Sequence, residues 1–258
     1  MNRLITIAVS HYCEKARWAL DWLNIPYIEE SHVPIFHRLA TRRYGGKSVP
    51  VLVTESGVFT DSTDILRHID AIATTEKHLY PANPKLRQEV EQLEELFDSK
   101  LGVYIRQWGY YYRIDDRQAL HQMWRKNNPQ LEQVGLTVAF PLMRQMVRRA
   151  YDVSASSAAS SLAEVRQIFD LVSQRLECDR AYLVGDNFTA ADLTFAALAA
   201  PALRPKQHPI QLAQVGKINE EMAAVMQELR RTKAGKFALR LYREKRHATN
   251  SQPTVESA

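Results

Sequence analysis

The sequence predicts an α/β unit over residues 1–75 followed by an all-helical domain over residues 85–248, and three observations carry that division. Short β-branched runs alternate with helix-period segments through the first unit. Pro81, Asn83 and Pro84 then punctuate a linker over residues 76–84. From Leu86 onward apolar residues recur at helical spacing, without the alternation of a half-buried strand.

The chain opens on the apolar run of residues 4–9, which reads as a buried strand, and Ser10 stands where that strand turns into a helix. Ala16, Trp18, Ala19, Leu20, Trp22 and Leu23 mark an apolar helix face, and Glu14, Lys15, Arg17 and Asp21 fall mostly between them. That spacing predicts an amphipathic helix. Its first turn offers unpaired N–H groups and the positive end of the macrodipole, so a thiolate or carboxylate lying against Ser10 and Cys13 would be stabilised. Equally, Ser10 can cap the helix while Cys13 packs inside it. Asn24-Ile25-Pro26 ends the helix. Residues 27–33 then read as a second strand, residues 34–44 as a weak helix stopped by Gly45-Gly46, and residues 48–53 as a third strand. The turn Glu55-Ser56-Gly57 leads into a short fourth strand at residues 58–60, forming an antiparallel hairpin. Ser62 is the expected N-cap of the next helix, whose apolar face begins at Ile65.

In the second domain Val90, Leu93, Leu96, Phe97, Leu101, Tyr104, Ile105 and Trp108 trace one long helix face. Tyr110-Tyr111-Tyr112 and Trp124 make the following section aromatic and read as core. Residues 138–151 are basic and helical, residues 154–161 read as a loop or loosely ordered segment, and residues 162–176 as helix again. After an irregular connection over residues 177–188, Thr189 and Asp192 form a capping box ahead of the apolar helix at residues 193–200. Helices over residues 222–229 and 237–242 close the domain, and residues 249–258 are expected to form a disordered tail.

Composition narrows the function classes. The most apolar tract, residues 193–203, is too short to cross a bilayer and contains Pro201. The N-terminus lacks the long apolar segment of a signal peptide, so neither secretion nor a membrane partner is expected. The two cysteines, Cys13 and Cys178, make neither a disulfide framework nor a metal-ligand set, which points to a reducing, cytoplasmic compartment. The net charge of +5 is spread over several helices and reads as solvated faces, with no nucleic-acid partner expected.

Three stretches together resemble a cytosolic glutathione S-transferase: the turn from Ser10 to Arg17, Ser48-Val49-Pro50 followed by Asp61-Ser62, and Gly185-Asp186 through Asp192. The resemblance implies a thioredoxin-like N-terminal domain, an all-helical C-terminal domain and glutathione as co-substrate. It makes Pro50 the cis-proline of that fold, with the Val49 backbone facing the cysteinyl part of glutathione. It assigns the γ-glutamyl end to Asp61 and Ser62 and the glycyl end to Lys47, with His37 and Arg38 as further basic candidates. Ser10 falls where serine-type members place the hydroxyl that hydrogen-bonds the glutathione sulfur. Cys13 resembles the resolving cysteine of a redox pair whose first member is missing, and His11 replaces the proline of that motif.

The implied activity is attack of a Ser10-stabilised glutathione thiolate on a small electrophile, in the manner of a detoxification enzyme. Conjugation is the default; peroxide reduction and isomerisation use the same thiolate. A non-catalytic binding or scaffold protein, and a glutathione-dependent thiol oxidoreductase working through Cys13, stay open alongside it. A homodimer is implied as well. The section over residues 110–161 is longer than the family carries between its early C-terminal helices, and it is expected to reshape or cover the acceptor pocket.

Overall fold

A computed structural model describes residues 1–125, 128–210 and 219–246; the expected tail at residues 249–258 lies outside the described residues. Strand β1 (Asn2–Thr6) pairs in parallel with β2 (Tyr27–Ser31), and the crossover that parallel pairing demands is helix α1 (His11–Trp22). Helix α2 (His37–Arg42) follows, then β3 (Val51–Thr54) and β4 (Gly57–Phe59), paired antiparallel, and α3 (Ser62–Ile72). The sheet order is β2-β1-β3-β4, with β1 antiparallel to β3.

The strands are shorter than their apolar runs. The Ser10 N–H donates to the Ile7 carbonyl at 3.0 Å, so the chain turns before Val9 and β1 stops at Thr6. Strand β3 starts at Val51 because Pro50 has no N–H for the ladder. The N-cap of α3 is Asp61 rather than Ser62: its carboxylate accepts from Thr63 N at 2.8 Å and Asp64 N at 3.4 Å, which makes Ser62 the first helical residue.

The second domain comprises α4 (Pro84–Leu96), α5 (Gly102–Tyr111), α6 (Arg117–Arg125), α7 (Gln130–Ala150), α8 (Ala155–Arg175), α9 (Ala190–Leu203), α10 (Glu220–Arg231) and α11 (Lys233–Lys245). The single long face expected over residues 86–108 is interrupted: Phe97–Leu101 forms a π-helical turn between α4 and α5. The serine-rich stretch is no loop. Ser154 Oγ accepts from Ser157 N at 3.2 Å and Ser157 Oγ from Ser154 N at 3.0 Å, a capping box that starts α8 within it. The alanines favour the helix, and Ala158 and Ser161 are buried. Helix α9 is apolar all round and therefore central. Its start is fixed by Asp192, which accepts from Thr189 N and Leu183 N, both at 2.8 Å.

Helix α1 is not amphipathic in the solvent sense. It packs between α3 and the sheet on one side and α9 on the other, and Glu14, Lys15 and Arg17 are 0%, 0% and 2% exposed. Each buried charge is paired. Lys15 Nζ contacts Glu94 at 2.8 Å and Asp98 at 2.5 Å; Arg17 Nε donates to Glu29 at 2.7 Å; Arg246 donates to Glu14 and Asp21, both at 2.7 Å. Trp18 fills the space between, its ring 4.5 Å from that of Tyr242.

A second core joins α6 and α7 to the end of β2, with Val33 packed among Ile114, Trp124, Leu136 and Phe140. Glu132 on α7 accepts from Val33 N at 2.8 Å and from His32 Nδ1 at 2.6 Å. Among the described residues no helix is long and apolar enough to cross a membrane.

Two predictions follow from these buried charges. Lys15→Met leaves Glu94 and Asp98 uncompensated, and should cost ~3–5 kcal/mol in denaturant unfolding; a loss under about 1 kcal/mol would show that the pair contributes no more than a surface bridge. Burial alone would lower the His32 pKa, but its hydrogen bonds to Glu132 and Glu30 outweigh burial and raise it to about 9. A folded value above the ordinary ~6.5 means that this stabilisation is full below about pH 6.5 and is lost as the pH rises through the folded value. The stability gap between wild type and His32→Gln should therefore shrink from about pH 6 to about pH 10, and a gap that does not vary with pH would contradict a charged His32.

Candidate functional site

Two cavities meet in the cleft between the domains. One, of about 590 Å³, is polar and is lined by Val49, Pro50, Asp61, Ser62, Arg67 and Ser99 among others. The second, of about 230 Å³, is largely apolar, with Ile7, Val9, Ile105, Met146 and Tyr151 in its wall, and Ser10 opens onto it. Tyr12, Ser48, Val49 and Arg106 line both and so form the junction.

The polar cavity gathers residues that the α/β domain delivers from two places. The Val49–Pro50 bond is cis, and Val49 lies between β3 and the junction. Asp61 and Ser62 stand at the N-terminus of α3, where the first backbone N–H groups favour a negative ligand group. One carboxylate oxygen of Asp61 accepts both cap bonds, and among the described residues no hydrogen bond is made to the other. Lys47 is exposed and lines neither cavity, while His37 and Arg38 line the apolar one. Burial and the neighbouring Arg38 push the His37 pKa down to about 4, so it is neutral.

Ser10 is the N-cap of α1: its Oγ accepts from Cys13 N at 3.4 Å, which leaves the hydroxyl proton available to donate. Cys13, one turn into the helix, is 0% exposed and lines neither cavity. Burial pushes its thiol pKa up, away from the thiolate. Ser10 and Cys13 are thus neighbours in the first turn, but only Ser10 opens onto a cavity.

Three more residues meet at the site: Tyr12 and Arg106 were not singled out in the sequence, and His11 only as the residue in place of a proline. His11 Nε2 donates to the Gly102 carbonyl at 2.9 Å, and burial together with Arg106 lowers its pKa to about 3, so it is neutral. Tyr12 donates its hydroxyl to the Asp98 carbonyl at 2.6 Å, and burial raises its pKa. Arg106 lies over the Tyr151 ring at 4.3 Å and the Tyr12 ring at 5.8 Å. Among the described residues it has no carboxylate at ion-pair distance, and its Nε is buried without a hydrogen-bond partner. A signal for Arg106 does exist in the sequence: none of Gly102, Val103, Gly109 or Tyr110, its neighbours at helical spacing, is acidic. Together the junction can bind a polar, zwitterionic ligand on one side, hold an anion beside Arg106, and present it to an apolar ligand on the other.

Comparison with known proteins matches the model of the glutathione S-transferase N-terminal domain to residues 4–77 and that of the glutathione S-transferase C-terminal domain to residues 133–228. No curated protein sequence matches the chain. Among solved structures it is similar to the β-etherase LigF from Sphingobium sp., with a TM-score of 0.59 and 18% identity over 93% of this chain and 98% of the other. It is also similar to a glutathione S-transferase from Rhodospirillum rubrum, with a TM-score of 0.56 and 18% identity over 95% and 99% of the two chains. A third, a glutathione S-transferase from Methylobacillus flagellatus with glutathione bound, has a TM-score of 0.53 and 18% identity over 92% and 98%.

Proposed function

The chain belongs to the glutathione S-transferase family, and on that footing we propose that it is a serine-type transferase, holding glutathione in the polar cavity and an electrophile in the apolar one. The observation that carries this reading is the shared wall: Val49, Pro50, Asp61 and Ser62 line one cavity, and Val49 lines the other together with Ser10. The Ser62 hydroxyl and the first turn of α3 take the γ-glutamyl carboxylate, and Asp61 faces the ammonium. The Val49 backbone orients the cysteinyl part, so that its sulfur lies at the junction.

The chemistry then follows from charge placement. The glutathione thiol loses its proton to solvent, the Ser10 hydroxyl donates a hydrogen bond to the thiolate, and Arg106 adds positive potential. A sulfur lone pair forms the new carbon–sulfur bond, and the leaving group departs with the electron pair of the bond that breaks. The buried, high-pKa Cys13 is unsuited to compete as the attacking group. We further propose a homodimer, as the family resemblance implies and as closed two-fold assemblies favour, in the cytoplasm, where a chain with only two cysteines far apart in sequence is at home.

Ser10→Ala should leave retention on immobilised glutathione nearly intact, raise the pKa of the bound thiol and lower kcat/KM. The loss of one hydrogen bond to a charged group, ~1.5–3 kcal/mol, corresponds to about ten- to a hundred-fold. Cys13→Ala should show only a packing cost. A Cys13 variant slower than the Ser10 variant would overturn the assignment; wild type that fails to bind glutathione would sink the whole reading, and binding without turnover its catalytic half. Light scattering across micromolar concentrations should report twice the 29.6 kDa chain mass, and a monomer throughout would rule the dimer out.

A further inference from the structure

The buried cations of this protein are paired with carboxylates: Lys15 with Glu94 and Asp98, Arg17 with Glu29, Arg246 with Glu14 and Asp21. Arg113 breaks that pattern. It is mostly buried just beyond the end of α5, and its Nη1 donates to the Gly109 carbonyl at 3.1 Å. Among the described residues no carboxylate reaches it, and its other N–H groups remain for a ligand. Arg106 at least has the faces of two tyrosines against it.

The surroundings of Arg113 do not supply the missing charge. It stands in the partition between the apolar cavity and a neighbouring one of about 410 Å³, and it lines both. The apolar cavity carries Arg38 and Arg106 besides, and the neighbouring one Arg204 and Arg230; among the described residues no aspartate or glutamate lines either. Burial and the nearby Arg204 push the Arg113 pKa down to about 10, as befits a cation without its counter-charge. A desolvated, uncompensated cation is costly to keep, so an anionic ligand group placed there gains more than it would in water. The rest of the wall, with Ile35, Tyr110, Met123 and Val147, asks for a flat apolar body.

From this arrangement we infer that the acceptor cavity takes an electrophile bearing an aromatic or branched apolar body and a carboxylate, the carboxylate meeting Arg113 and the reactive carbon lying toward Ser10 and Val49. The inference rests on the transferase reading for the identity of the second reactant. The anion site itself does not, and Arg113 is absent from the wall of the polar cavity assigned to glutathione.

Calorimetric titration with 3-nitrobenzoate and with its uncharged analogue 3-nitrobenzamide, without glutathione, tests the anion site directly. The acid should bind about ten-fold more tightly or better. That preference should weaken with added salt, vanish in Arg113→Met and persist in Arg113→Lys. With glutathione present, kcat/KM for 4-chloro-3-nitrobenzoate over 4-chloro-3-nitrobenzamide, each corrected for its uncatalysed rate, should fall in Arg113→Met by the same factor. Equal binding of acid and amide by wild type overturns the inference without need of any variant, as does an acid preference that survives Arg113→Met. Arg113-dependent binding of the acid with no reaction of glutathione would sustain the site and discard the transferase reading; turnover of both chlorides without preference would do the reverse.

Discussion

Lys15 reaches from the α/β domain into two carboxylates of the helical domain, and around its fully buried ammonium the rest of the molecule is arranged. Glu94 at 2.8 Å and Asp98 at 2.5 Å hold it charged against burial, while Thr63 on α3 lies within hydrogen-bond distance of both carboxylates and Tyr80 ahead of α4 donates to Glu94. A buried ion pair adds little net stability compared with a well-packed apolar contact, because desolvation takes back most of the attraction. What it does supply is register: any slide of one domain against the other would strand three charges in a low-dielectric space. Arg246 repeats the device on another side of α1 through Glu14 and Asp21. With α1 pinned on two sides, the positions of Ser10, His11 and Tyr12 in its first turn are fixed with it.

That same interaction explains where the sequence misleads. Periodicity treats Glu14, Lys15, Arg17 and Asp21 as a solvated face because a charge between apolar positions normally points to water. Here the second face meets another domain, and the partners lie as far away in sequence as Arg246. The order of strands and helices, by contrast, follows from local patterns and was legible throughout the first domain. Element ends depended on particular hydrogen bonds, such as Ser10 N–H to Ile7, or on the missing N–H of Pro50, which no periodicity registers. The stretch after Ser154 read as a loop or loosely ordered segment because its composition is simple. Yet two serines and a run of alanines are good material for a capped helix once Ala158 and Ser161 have a surface to bury against.

The residues of the polar cavity, proposed to hold glutathione, could be grouped from the sequence because they are contiguous: Val49 and Pro50 belong to one turn, Asp61 and Ser62 to one helix start, and both line one cavity. Lys47 rested only on adjacency to the third strand, and an exposed loop position carries no information about direction. The apolar cavity combines side chains of α5, α6 and α7 with those of the first domain, and they meet only after the domains dock. Arg106 could have been suspected from the lack of acidic neighbours at helical spacing, but Arg113 could not, because Asp115 and Asp116 follow it in the chain, and the cavity that both line is a property of tertiary packing alone.

The π-helical turn at Phe97–Leu101 is the local irregularity that makes the docking chemically specific. A regular helix from Pro84 to Tyr111 would tie every interior carbonyl to its own backbone; the wider turn loosens that pattern where α4 passes into α5. The Asp98 carbonyl accepts the Tyr12 hydroxyl and the Gly102 carbonyl accepts His11 Nε2, so both residues after Ser10 are held by this one segment. Gly102 is required there, because a Cβ would overlap the Tyr12 hydroxyl. Spending the tyrosine proton on Asp98 also removes Tyr12 as a donor toward the cavities, in keeping with the role proposed for Ser10. One turn further along the same helix comes Arg106, set against the Tyr12 ring that this hydrogen bond immobilises. The segment that locks the domains therefore also brings the helical domain's Arg106 to the junction that Ser48 and Val49 of the other domain line.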